Sequence, residues 1–440
     1  MSVPVIAIFD IGKTNKKVFL FDEEYKIRVE KSVQLTEIKD EDDFPCEDIN
    51  ALIKWVKDSF HELSMLSEYE IIAVNISAHG ASFVHIDEHD NPVAPLYNYL
   101  KPYPDDLKKK FYARYGEEKE FSRIMASPVL GNLNSGMQLY WLKHERPEIY
   151  KQIKYSLHLP EYISYLFSGK PVSGITSIGC HTNLWGFTKN NYHEWVEKER
   201  VLEKLAPIVS SKEVTSITFN HQKVKVGIGL HDSSAALIPY LSCFSEPFVL
   251  LSTGTWCITL NPFNHTPLTD EELKKDCLCY LTYEGKPVKA SRLFAGFEHE
   301  KEVKRLAEHF HTSEEYYKGI SYLPKMVKSI DSYQSENLSH YATYEEAYTQ
   351  FINSLVKQQV TSTNLVLHNS HVTRIFVDGG FSSNPIFMNL LSLAFPSIEV
   401  YAASVAQASA TGAAMAIHQH WNKHPHKAAM IDLKFFSKNF

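Results

Sequence analysis

Short apolar runs, cut by compact polar clusters, recur along this chain. Val5 to Phe9 is the first, and Val18 to Phe21 answers it after a polar turn. Runs of this length, bounded by turn residues, predict buried strands. Lys26 to Leu35 alternates well enough for a third strand. From Asp48 to Leu66 the period changes, with Leu52, Val56, Phe60 and Leu63 on one face, which predicts a helix. Ile71 to Ile76 and Val224 to Leu230 read as strands, the second running into a helix that starts near Asp232. A second strand–turn–strand unit spans Phe248 to Leu260. Glu300 to Phe310 and Tyr344 to Leu365 are predicted helices, with a polar loop from Asp331 to His340 between them. Arg374 to Asp378 is a strand, Ile386 to Phe395 a helix, Ile398 to Tyr401 a strand and Gln407 to His418 a small-residue helix. Strands and helices mixed in this way predict an α/β protein.

Bulk properties narrow the class. A chain of 440 residues is expected to hold two domains, each with its own core. Its 44% hydrophobic and 22% charged content is ordinary for a globular protein. A net charge of −7 gives no electrostatic case for nucleic acid or an anionic membrane as partner. The Lys108-Lys109-Lys110 run reads as a solvated helix face. No apolar stretch approaches the roughly 18 residues of a membrane span. Met1 to Pro4 leads straight into the first strand without a signal peptide, and the six scattered cysteines do not form a disulfide framework. A cytoplasmic location is the expectation. Among 21 histidines no HExxH or paired Cys/His spacing occurs, so no structural metal is expected.

The polar turn between the first two strands concentrates what a nucleotide's phosphates need. Gly12 permits close backbone approach, Thr14 and Asn15 donate hydrogen bonds, and Lys17 supplies charge. Asp10 can face magnesium through water. A P-loop would open a helix, whereas this turn returns as a strand. Taken alone it reads equally as an ordinary polar hairpin. Ser252-Thr253-Gly254-Thr255 occupies the same place in the second unit, where the N–H groups of Gly254 and Thr255 and the Thr255 hydroxyl are candidate phosphate contacts, with Thr253 weaker.

Two such hairpins, one per half, resemble the ATPase fold shared by actin and hexokinase, and the chain resembles the FGGY carbohydrate kinases. The resemblance implies two actin/hexokinase-like (ribonuclease H-like) domains with a cleft between them. Residues 1–240 would hold the sugar site, the first hairpin and the base, and residues 241–440 the second hairpin and the adenosine site. It implies ATP and Mg²⁺ as cofactors, with Asp10 holding the metal through water.

A sugar hydroxyl has a pKa far above 7, so its attack on phosphorus benefits from a positioned carboxylate. Asp232, where a strand meets a helix, fits that task, although an Asp there is also an ordinary helix cap. In the family this Asp is the general base. His79 in Ser77-Ala78-His79-Gly80 stands where the family places a sugar ligand, with Ser77 and Ala78 lining the same pocket. Gly379, Gly380 and Asn384, after an apolar strand, resemble the family's adenosine motif.

Departures leave the sugar open. Tyr97-Asn98-Tyr99 stands in place of a Trp-x-Asp-x-Arg segment, and an aspartate common near Gly174 is missing. His181 and Thr182 are alternative sugar contacts. Ser291 to Gly296 carries no expected role beyond a lid or an oligomer contact. His231-Asp232 resembles the L-rhamnulose and L-fuculose kinases, so a ketose of that kind is the first expectation and a pentulose the next. An ATP-binding regulatory protein on the same fold is the alternative. Oligomeric state is not legible in the residues; a homodimer is entertained.

Overall fold

The computed structural model describes residues 2–327, 333–425 and 431–436. Residues 331 and 332 of the loop expected at 331–340 fall outside them. Two sheets form the body. The first orders its strands β5-β6-β4-β1-β2-β3. These are β1 (Val3–Ile11), β2 (Lys16–Asp22), β3 (Ile27–Val33), β4 (Tyr69–Ala78), β5 (Val214–Phe219) and β6 (Gln222–Gly227), and β7 (Leu230–His231) extends the end of β4. The second orders β10-β11-β9-β8-β12-β13-β14. Its strands are β8 (Phe248–Thr253), β9 (Cys257–Asn261), β10 (Cys277–Leu281), β11 (Pro287–Leu293), β12 (Arg374–Gly379), β13 (Glu399–Ser404) and β14 (Asp432–Phe436).

The sheets share one plan. β1 pairs antiparallel with β2 and parallel with β4. β8 pairs antiparallel with β9 and parallel with β12. Each hairpin tip therefore points the same way as the carboxyl end of its parallel neighbour. In open α/β sheets that is where ligands bind.

β1 reads as an uninterrupted apolar run because both its faces are covered. Val5, Ala7, Phe9 and Ile11 meet helix α1 (Ile49–Ser64), together with Leu52, Val56 and Phe60. Asp48 caps that helix by accepting from the N–H groups of Asn50 and Ala51. Ile6 and Ile8 face the other way, towards helices α2 (Asp232–Cys243) and α6 (Ala408–Ala416). Along the chain, α3 (Ala295–Phe310), α4 (Tyr344–Leu367) and α5 (Pro385–Ala394) come between them and pack on the second sheet.

α2 lies between the two sheets. Ala235 and Ile238 pack with the first sheet, Leu237 and Tyr240 with the second. α6, although it follows β13, covers the first sheet and crosses α2 closely. A Cβ built on Gly412 would stand 1.8 Å from the Ala235 carbonyl oxygen, so only glycine admits this crossing. The chain thus passes back to its first half before it ends.

Beside the first sheet, helical segments 105–115, 118–125 and 135–145 close around Phe111, Tyr140 and Trp195. Tyr97 is buried in this aromatic cluster, its ring 5.1 Å from Trp141.

Candidate active site

The first hairpin closes through the Gly12 N–H, which donates to the Asn15 carbonyl at 3.0 Å. Thr14 and Asn15 are exposed at its tip. Lys17 lies opposite Asp10 in the β1–β2 register and pairs with Glu30 at 3.2 Å. In the second hairpin the Gly254 N–H donates to the Trp256 carbonyl at 3.0 Å, leaving Gly254 and Thr255 exposed. Thr253 is buried; its hydroxyl donates to the Asp378 carbonyl and accepts the Phe381 N–H, so it fastens the loop from within.

Ser291 to Gly296 departs from the lid or oligomer contact expected of it. It is the end of β11 and the start of α3, pressed onto the second hairpin. The Phe297 N–H donates to the Thr255 carbonyl at 3.1 Å, and a Cβ on Gly296 would meet the Gly254 oxygen at 1.8 Å. Arg292 from this strand reaches the cleft.

That cleft, about 520 Å³, opens between the halves. Asp232 stands on its wall as the first residue of α2; the capping position itself falls to His231. Its Oδ1 accepts the Ser233 N–H at 2.6 Å and lies 3.3 Å from His231 Nε2. Its Oδ2 meets no partner among the described residues, which leaves a carboxylate lone pair facing the cleft.

Asp10 ends β1 near the foot of the same wall. Both its oxygens accept from the Ser409 hydroxyl at 3.1 Å. Burial, and then the charge of Asp232, push its carboxyl up to about 6, against the opposing pull of Ser409, Ser77 and Lys17. Across the cleft Asp378 ends β12, accepting from the Tyr240 hydroxyl at 2.9 Å and the Gly379 N–H at 2.7 Å; burial pushes its carboxyl up as well. Negative charge here exceeds what the protein neutralises. Among the described residues no three metal-ligating side chains converge. Such a donor set fits magnesium, which is commonly held by one or two carboxylates, water and nucleotide phosphates rather than by a protein cage.

His79 lines the cleft, but both its ring nitrogens are engaged: Nε2 with Glu47 at 3.0 Å and Nδ1 with the Gly80 carbonyl at 3.1 Å. Glu47 also pairs with Lys16 at 2.8 Å and Lys13 at 3.3 Å. Burial alone would raise the Glu47 carboxyl, but His79, Lys16 and Lys13 together hold it well below the usual carboxylate range. The pocket-lining places expected of Ser77 and Ala78 are not met. β4 runs on to Ala78, so Ala78 enters the core and Ser77 lies beside Asp10, both fully buried. Gly80 and Ala81 line the cleft instead. Tyr99 and His181 also line it, whereas Tyr97 and Thr182 do not. Thr182 spends its hydroxyl on the Ile178 carbonyl at 2.7 Å.

A second cavity, about 480 Å³, continues past Gly254, which borders both. Gly380, Asn384, His299 and Tyr317 line it. Gly379 sits at φ +87°, and a Cβ there would lie 2.0 Å from the Thr253 oxygen. Asn384 caps α5 with its side-chain oxygen and donates Nδ2–H to the Tyr348 hydroxyl at 2.8 Å. The second hairpin, through Gly254, therefore joins the two cavities, whereas Gly12, Thr14, Asn15 and Lys17 of the first hairpin line neither.

Sequence reasoning missed Glu47, Arg292, Asp378 and Ser409. Asp378 carried a signal, since it directly precedes the Gly-Gly pair. Arg292 lies in the Ser291–Gly296 segment, which was given no site role, and Glu47 and Ser409 lie in stretches without a motif.

The chain has relatives among known proteins. It is 24% identical to a rhamnulokinase of Halalkalibacterium halodurans over 249 residues, 52% of this chain and 51% of that one. It is 23% identical to a rhamnulokinase of Oceanobacillus iheyensis over 214 residues, 46% of this chain and 43% of that one. The chain thus spans about half the length of the curated relatives it matches. Among solved structures, a ligand-bound xylulose kinase from Lactobacillus acidophilus superposes with a TM-score of 0.81 at 15% identity, over 99% of this chain and 94% of that one. A carbohydrate kinase from Novosphingobium aromaticivorans does so at 0.77 and 21%, with the same coverage. These likenesses establish a two-domain α/β fold of the same kind. The family model for the FGGY N-terminal domain matches residues 5–238, and that for the carbohydrate kinase FGGY C-terminal domain residues 245–426. The chain belongs to the FGGY family of carbohydrate kinases.

Proposed function

We propose that this protein transfers the γ-phosphoryl group of ATP to a hydroxyl of a small sugar, with Asp232 as general base. The observation that carries the reading is the free Oδ2 of Asp232, standing in a cleft that the second hairpin borders at Ser252 and Gly254. A hydroxyl bound in front of Asp232 gives up its proton to Oδ2 as its oxygen attacks phosphorus. The Thr255 N–H and hydroxyl, with Thr14, Asn15 and Lys17, hold the phosphates and offset the charge spread over them in the transition state, while Gly12 and Gly254, whose N–H groups close their own turns, permit close approach. Asp10 would hold magnesium through water, and the ion would supply further neutralisation of the phosphates. Gly380 and Asn384 line the adenosine end, and Gly379 lines the first cavity beside it. His79, with its nitrogens spent, shapes the sugar wall rather than donating from a free ring edge.

The substrate we infer is a ketose, L-rhamnulose or L-fuculose first and a pentulose next. The rhamnulokinase and xylulose kinase likenesses support that order, as does His231-Asp232. The same reading puts the division between domains near residue 240 and the protein in the cytoplasm.

The test is ADP release with ATP and magnesium across ketoses, aldoses and polyols. One sugar should rise well above the rest. Asp232→Asn should lower that rate by about 10²–10⁴-fold while nucleotide binding, followed by calorimetry, persists. Turnover by Asp232→Asn at the wild-type rate would remove Asp232 from its role.

A further inference from the structure

His181 sits in a turn that the protein holds in an unfavourable shape. His181 and Asn183 both have positive φ, +40° and +59°. Residues other than glycine seldom adopt this region. Each carbonyl of the turn is fastened. That of His181 accepts from Asn134 Nδ2 at 2.7 Å, that of Thr182 from the Gly136 N–H at 2.8 Å, and that of Asn183 from the Trp195 indole at 2.7 Å. Such clamping of a strained segment beside a cleft points to a side chain whose direction matters.

The ring's protonation follows from its partner. His181 Nδ1 lies 3.0 Å from the Leu133 carbonyl. A carbonyl only accepts, so Nδ1 carries the proton. Burial, with Arg292 and His231 nearby, keeps the imidazole neutral. Nε2 is then a bare acceptor. It has no protein partner among the described residues, although the residue is 6% exposed and lines the cleft. Arg292 lines the same cleft, with Nε and Nη2 spent on Asp276 at 3.1 and 2.7 Å and Nη1 unspent. An acceptor and a donor on one wall match a hydroxyl and a neighbouring oxygen. A carboxylate or phosphate would place its lone pairs against the Nε2 lone pair.

We propose that His181 Nε2 accepts a hydrogen bond from a sugar hydroxyl other than the one Asp232 deprotonates. His181 thereby selects among sugars by the presence and configuration of that hydroxyl. This rests on the sugar kinase reading.

The experiment compares wild type, His181→Phe and His181→Gln, using the best sugar of the panel and its single-deoxy analogues. Sugar binding by calorimetry is read beside kcat/KM. For the wild type, one deoxy analogue should be used about tenfold less well, the size of one lost hydrogen bond. In His181→Phe that ratio should collapse towards one, while the penalties of the other analogues persist. His181→Gln, which keeps an acceptor, should retain part of the discrimination. Unchanged ratios for every analogue in an active His181→Phe protein would overturn the assignment. A wild type that no sugar stimulates or binds would overturn the kinase reading instead.

Discussion

Asp10 is charged where the ligand-free protein would be more stable if it were not. Replacing it with asparagine keeps the shape and removes the charge. Its carboxyl is pushed from an ordinary 3.8 to about 6, first by burial and then by Asp232. A displacement of that size makes ionisation harder by about 3 kcal/mol in the folded state. Asp10 keeps some solvent contact, and water in the cleft screens part of the cost, so about 2 kcal/mol is the working figure. The sign follows from proton counting. Folded Asp10 keeps its proton to about pH 6, whereas the unfolded carboxyl loses it near 4. Between those values the folded state binds more protons, so stability falls as pH rises through the window and stays lower above it. Asp10→Asn cannot show that fall. In urea denaturation without ligand, it should exceed wild type by about 2 kcal/mol at pH 7.5, with the gap closing towards pH 4. Magnesium with ADP should stabilise wild type more than the variant, since the charge then meets its counterion. An Asp10→Asn protein no more stable than wild type at pH 7.5, or a gap independent of pH, would refute the reasoning.

Gly412→Ala gains about 1 kcal/mol of helix preference, but its Cβ would stand 1.8 Å from the Ala235 oxygen. A net loss of roughly 2 kcal/mol is expected in thermal unfolding, with slower ADP release because α2 carries Asp232. Glu47→Gln leaves the buried Lys16 without its counterion and should cost about 3–5 kcal/mol at pH 7. Because the carboxyl is held low, that gap should shrink in urea melts as pH falls below about 4. Tyr348→Phe removes the hydroxyl that joins Asn384 at 2.8 Å to His299 at 2.9 Å. Steady-state kinetics should show KM for ATP rising about three- to tenfold, with kcat and the sugar KM nearly unchanged.

What the residues disclosed in advance was local. Both hairpins, the strand-to-helix passage at Asp232 and the Gly-Gly pair are contiguous patterns, and each fell where its pattern placed it. Ser77 and Ala78 misled because β4 continues two residues beyond the last strongly apolar position, and in a strand two residues decide what faces the core. Glu47 was invisible for a different reason. Its partners Lys13, Lys16 and His79 come from two other segments, and only the packing of β1, β2 and β4 brings them within 3.3 Å. Ser409 meets Asp10 from the far end of the chain, a pairing no window along the sequence contains. The missing aspartate near Gly174 also finds an account. A Cβ at Gly174 would stand 2.3 Å from the buried Glu161 carboxylate, whose Oε1 accepts the Gly174 N–H at 3.0 Å. Any larger residue there would have to displace it.

The return of α6 to the first sheet bears on how the chain is made. Ile6, Ile8, Phe19 and Phe21 are made well before their cover, which includes Ala410, Ala413 and Ala414. Nascent domains usually fold in the order in which they leave the ribosome. Here the leading half must wait, its apolar strip open to solvent or to a chaperone, until α6, about 400 residues later, has been translated.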